Sequence, residues 1–149
     1  MKNSVDDWEK PFYSFKTSWD LLGKARRELE RYEAEPSDDH AFNFFVTVYH
    51  IRDWAKADSI SIEELDKDPD FNLCRLACNH GKHHRLNKEP TLGQAIDRDY
   101  APHSDIAFFD TERYAVQADG NRLDVATLGH RVLNMIEAFL GEYGNRKRT

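Results

Sequence analysis

Two stretches of this sequence hold the densest set of side chains able to do chemistry. In the first, Asn43, Thr47 and His50 recur at helical spacing, with Asp53 and Trp54 beside them. In the second, Arg75, Asn79, His80, Lys82, His83 and His84 fall within ten positions. An imidazole titrates near neutral pH and can give or take a proton. A guanidinium can hold a phosphate or its transition state through paired, charge-assisted hydrogen bonds, with an amide and an ammonium steadying the flanking groups. Arg75, with His80 or His83 for proton transfer, is therefore the candidate catalytic set, and Asn79, Lys82, His83, His50, Asn43 and Thr47 the candidate binding set.

Other chemistries lack their signatures. The seven glycines never cluster into a phosphate loop, and there is no Gly-x-Ser-x-Gly elbow or His-Glu-x-x-His zinc motif. Cys74 and Cys78 lie four apart on an apolar helix arc, where burial raises a thiol pKa and suppresses nucleophilicity. Both are expected to be reduced and buried, consistent with a reducing compartment.

The elements that must position these residues follow from pattern. A chain of 149 residues with 40% hydrophobic and 12% aromatic content predicts one domain, residues 1–149. The 32% charged content and lack of a long apolar run exclude a helical membrane protein. The opening MKNSVDDWEK lacks the regions of a signal peptide, so a cytoplasmic protein is expected. A net charge of −6 argues against broad, nonspecific nucleic-acid binding while leaving room for a local basic cleft.

A first amphipathic helix is expected over 7–34, with Phe12, Phe15, Trp19, Leu22 and Leu29 inward and Lys24, Arg27, Glu28 and Arg31 outward. Asp38 or Asp39 would cap a second helix over 40–57 that is apolar nearly all round. Taking Arg52 as its wet side turns Asn43, Thr47 and His50 inward. A short helix over 60–65 leads to a third main helix from 68 or 70 to about 86. There Phe71, Leu73, Cys74, Ala77, Cys78 and Gly81 form the apolar arc, and Arg75, Asn79 and Lys82 the other side. Alternation at Ile106–Phe108 and Tyr114–Ala118, with an Asp119-Gly120 turn, predicts a small antiparallel hairpin within about 95–124. A last helix over 125–143 closes at Gly144, with Leu128, Val132, Ile136, Phe139 and Leu140 inward. The predicted class is mainly α, a four-helix bundle with a β-hairpin insertion between the third and fourth main helices.

The run Arg75-Leu76-Ala77-Cys78-Asn79-His80 fits Arg-x4-His and resembles the HEPN superfamily of small helical bundles. That family often carries a polar residue where this chain has Leu76. The strings AFNFFVTVYHIRDW and CRLACNHGKHHRL are also similar to uncharacterised bacterial and phage-associated helical proteins. The resemblance implies a metal-independent ribonuclease or RNA-binding relative of toxin or phage-defence type, acting on RNA as a homodimer without a cofactor. Beside it stand a non-enzymatic modulator that binds a protein partner, and a metal site built from His80, His83, His84, His50 and Asp53. The plainest alternative makes Asn43, Thr47 and His50 an interhelical hydrogen-bond network, and Arg75, Asn79 and Lys82 a solvated face.

Overall fold

The computed structural model describes residues 11–83, 96–99, 113–118 and 121–148, and side-chain surroundings for 11–80, 115–116 and 123–143. Five helices occur among them: α1 (Ser18–Ala34), α2 (Asp38–Ala57), α3 (Glu63–Lys67), α4 (Pro69–His83) and α5 (Val125–Arg148). Three antiparallel strands, β1 (Ile96–Asp99), β2 (Arg113–Ala118) and β3 (Asn121–Asp124), lie between α4 and α5 in the order β1-β2-β3. The mainly helical bundle with a small antiparallel insertion is thus as expected.

The first helix begins later than its periodicity suggested. Thr17 is its N-cap, and the Asp20 carboxylate takes the Lys16 and Thr17 N–H groups at 2.8 and 3.0 Å. Ahead of it, residues 12–15 close a turn through Phe15 N–H to the Phe12 carbonyl, 2.8 Å. Phe12 and Trp19 stay exposed, and the inward face is Leu21, Leu22, Ala25, Leu29 and Tyr32. Ser37, rather than Asp38 or Asp39, caps α2, its hydroxyl accepting the His40 N–H at 3.0 Å. The serine hydroxyl satisfies one orphan donor from outside the helix, while both aspartates favour its first turn through the dipole.

Helix α2 ends by wrapping its last carbonyls. Ser59 N–H reaches Lys56 O and Ile60 N–H reaches Ala55 O, both 2.9 Å, with Ser59 left-handed at φ 63°. This is a Schellman end with serine where glycine is usual. The Ser59 carbonyl accepts the Tyr143 hydroxyl at 2.6 Å, tying the turn to α5. The short helix follows three residues later than the predicted 60–65, and Asp68 caps α4 by accepting Phe71 N–H at 2.9 Å. Pro69 at the first helical position needs no partner for its nitrogen. Helix α5 continues through Gly144 to Arg148. A glycine stops a helix only where a left-handed turn follows it, and here the helix runs on.

Packed pairs run α1 to α2, α2 to α4, α4 to α5 and α5 to α1, so the main helices close a four-membered ring. Its interior holds Phe44, Val48, Ile51 and Ala55 from α2, Phe71, Cys74 and Cys78 from α4, and Leu128, Val132, Ile136 and Leu140 from α5. Phe139 lies at the rim of that core. Strand β2 pairs with β1 from Ile96 opposite Val116 and with β3 from Val116 opposite Leu123. Val116 joins the core cluster, and β2 touches α4 and α5, so the insertion covers that end of the bundle. The alternation at Ile106–Phe108 and the Asp119-Gly120 turn lie outside the described residues, although Ala118 pairs with Asn121 across the latter.

Candidate functional site

Helix α2 separates the two polar sets. Arg52 does not face open water: its Nε and Nη2 grip both oxygens of Asp66 on α3 at 2.7 and 3.1 Å. At about 100° per residue, His50 then lies some 160° away around α2, on the α1 flank. The inward turn expected for Asn43, Thr47 and His50 is corrected accordingly. Only Thr47 is buried, Asn43 is exposed, and His50 is half-buried. The reason is that two neighbours flank α2, and its polar stripe falls at the edge of the α1 contact rather than in the middle of the core.

That edge holds a network which the sequence pattern did not reveal. Thr47 Oγ1 donates to the Asn43 carbonyl at 2.7 Å and accepts from Lys24 Nζ at 3.0 Å. Lys24 also donates to Glu28 Oε1 at 2.9 Å, and Arg31 Nη1 reaches the same oxygen at 2.9 Å. Glu28 is only 6% exposed, although its type and neighbours suggested the outer face. Its spacing from Ala25 and Tyr32, three before and four after, was the available signal. Burial pushes the Glu28 carboxyl up, but the Lys24 hydrogen bond and charge, with Arg31 behind them, hold it below its ordinary 4.5.

Asp66 and Asp20 are likewise lowered, Asp66 chiefly by its bond from Arg52 and Asp20 by the Lys16 and Thr17 N–H groups. A carboxyl with a depressed folded pKa adds stability that is full above its unfolded pKa and vanishes as pH falls through the folded one. The melting temperature is therefore expected to hold from neutrality to about pH 5 and to decline once pH passes below the ordinary values of 4.5 and 3.8. Thermal melts against pH check this, with a shallower decline expected for Glu28→Gln. An unchanged melting temperature at pH 3 contradicts it.

On α4, Arg75, Asn79 and His80 are all half-exposed. Among the described residues none of the three makes a side-chain hydrogen bond or ion pair, whereas Arg52, Asp66, Asn72 and Asp70 nearby all do. Arg75 stands close enough to Asp66 for its charge to help lower that carboxyl, after Arg52 and Lys56. Asn79 lies about 40° from Arg75 around the helix, and His80 about 140°, so the two catalytic candidates flank the helix instead of sharing one face. Lys82 and His83 belong to α4, but their side chains, and His84 altogether, lie outside the described residues. Among the described residues no three of His, Cys, Asp and Glu are grouped to hold a metal ion. Cys74 and Cys78 are buried and form no disulfide, and desolvation, with Asp70 and Asp68 nearby, raises the Cys74 thiol well above its ordinary value.

An open depression of about 690 Å³ lies beside this region, lined by Lys56, Ile60, Ile62, Glu63, Asp66 and Lys67 among others. Its two lysines and two carboxylates cancel, so it favours no charged ligand. No helix of the described residues is long and apolar enough to cross a membrane. No protein-family model, curated protein or solved structure matches this chain.

Proposed function

We propose that this chain is a HEPN-like RNA-acting protein that cleaves without a metal, with Arg75 and His80 as its catalytic groups and Asn79 beside them. The observation that carries the reading is the idle polar set on α4. The ionic groups around it, Arg52, Asp66 and Asp70, are tied into the fold, while Arg75, Asn79 and His80 are left accessible and unbonded among the described residues. A charged and two polar groups kept out of structural bonds are available to a ligand.

The chemistry asks little else. The RNA 2′-hydroxyl attacks the adjacent phosphorus, its proton passes to a base, and the 5′-oxygen leaves with a proton from an acid, giving a 2′,3′-cyclic phosphate. His80 supplies one proton-transfer group, and Arg75 neutralises the charge that builds on the non-bridging oxygens. Because the two project about 140° apart, a scissile phosphate is served by Arg75 of one copy and His80 of another, which makes the homodimer part of the proposal. His50, on the opposite flank of α2, takes no part in this step.

Incubation of the purified protein with RNA in EDTA tests it. Wild type is expected to cleave, and Arg75→Ala and His80→Ala each to lose about 100-fold in rate. Mixing the two variants should restore a fraction of the activity if the site is shared between copies. Absence of wild-type cleavage, or equal cleavage by all three proteins, overturns the reading.

A further inference from the structure

We infer that the seam between α1 and α2 is a track for single-stranded nucleic acid, with bases stacking at its Tyr13 end and phosphates lying along Lys24, Arg27 and Arg31. The inference rests on the preceding reading only in taking RNA as the ligand.

At one end of the seam is a ladder of rings. Tyr13 meets Phe12 edge-on at 4.8 Å between centroids, Phe12 meets Phe15 at 6.2 Å, and Phe15 meets Trp54 of α2 at 6.4 Å. Trp54 shares the helix stripe of Thr47 and His50. Phe12 is 63% and Tyr13 87% exposed, so the outer two rings give the fold little burial. Tyr13 also sits at φ 51°, a backbone region that a bulky side chain adopts at a cost. A strained turn that displays two aromatic faces to water suits a ligand with π-faces of its own.

Along the seam from that end, α1 presents Lys24, Arg27 and Arg31. Arg31 is 54% and Lys24 34% exposed at their side chains, and among the described residues Arg27 makes no ion pair. Of the two acidic groups between them, Glu30 is exposed and lies about 60° beyond Arg27 around the helix, away from Lys24. Glu28 is enclosed under Lys24 and Arg31, and Asp20 is taken up by the helix N-terminus. Asp53, across α2, leans toward Arg52 at 3.8 Å. The exposed charges along this edge are therefore mainly cationic on a chain that is acidic overall, with Glu28 as the shared, enclosed counter-ion of Lys24 and Arg31. His50 adds a fixed polar tip: its Nδ1–H donates to the Val46 carbonyl at 2.7 Å, which leaves Nε2 for an incoming hydroxyl.

From Trp19 to Arg31 is about 18 Å of helix, room for a few nucleotides. Stacking requires unpaired bases, and the net acidity discourages a duplex held by phosphates alone.

Fluorescence anisotropy with a labelled 2′-O-methyl oligouridine of about 12 nucleotides, which has no 2′-hydroxyl to attack the phosphate, in EDTA and about 50 mM salt, provides the test. Tyr13→Ala is expected to weaken binding about tenfold, with Tyr13→Phe close to wild type, since the ring and not the hydroxyl stacks. Arg27→Glu should weaken it and lower the salt slope by about 1 or more. Absence of wild-type binding, equal binding of a duplex, or affinities unchanged in both variants overturns the inference. Weakening by Arg75→Ala alone overturns it while sparing the α4 reading. Binding through the seam by a protein that leaves unmodified RNA uncut upholds it and removes the ribonuclease.

Discussion

Substitution of Gly129 by valine is expected to cost about 3 kcal/mol of folding stability, the upper end of what overpacking a core does. Gly129 lies where α5 crosses α1 and α2. A Cβ there would stand 2.8 Å from Leu29 Cδ1, 3.1 Å from Leu29 Cδ2 and 3.2 Å from Phe44 Cζ. Neither neighbour can swing away, because Leu29 is 2% and Phe44 0% exposed. In a domain of this length the loss corresponds to a melting temperature lower by about 6–12 °C. Leu29→Ala alone removes buried methyls and costs about 2–5 kcal/mol, but it also vacates the space that valine needs. The double variant should therefore be more stable than the sum of the single losses allows, read from urea unfolding of all four proteins. Additive losses would mean that the helices do not cross at Gly129.

Removing the Asp58 carboxylate is the second large effect. Oδ2 of Asp58, at the end of α2, accepts Ser18 N–H at 2.7 Å and the Ser18 hydroxyl at 2.6 Å at the start of α1. Ser18 is 0% exposed, so water cannot replace the acceptor without rearrangement. Asp58→Ala leaves two buried donors stranded and takes a negative charge from a helix N-terminus, at about 3 kcal/mol in all. Asp58→Asn keeps an acceptor oxygen and should cost about 1 kcal/mol. Chemical denaturation separates them, and equal, small losses for both would show that Ser18 finds other partners.

The regularities that the sequence displays are those of single helices. The apolar periods of α2, α4 and α5, the caps near Ser37 and Asp68, and the burial of Cys74 and Cys78 all express local spacing. What it does not display is which neighbour each flank meets. Phe12 and Trp19 continue the helical period of α1, yet the chain turns at Phe12–Phe15 and leaves both exposed. Glu28 and Lys24 read as a solvated face until α2 brings Thr47 against them. Arg52 reads as the wet side of α2, but Asp66, fourteen residues on, folds back to hold it. These are long-range pairings, invisible to periodicity, and they set the separation of His50 from Arg75. Spacing picks out residue types along single helices; it does not show their distribution over two flanks of α2 and two sides of α4.

The claim that the α4 set serves a ligand and not the fold is tested most directly by one variant measured in two ways. Arg75→Ala removes a half-exposed side chain that makes no hydrogen bond or ion pair among the described residues. The account predicts a melting temperature within about 2 °C of wild type, as for a surface change of less than about 0.5 kcal/mol, together with an RNA cleavage rate in EDTA lower by about 100-fold. A variant that melts markedly lower while wild type and variant handle RNA alike would contradict it, and would return Arg75 to the structural groups around Asp66.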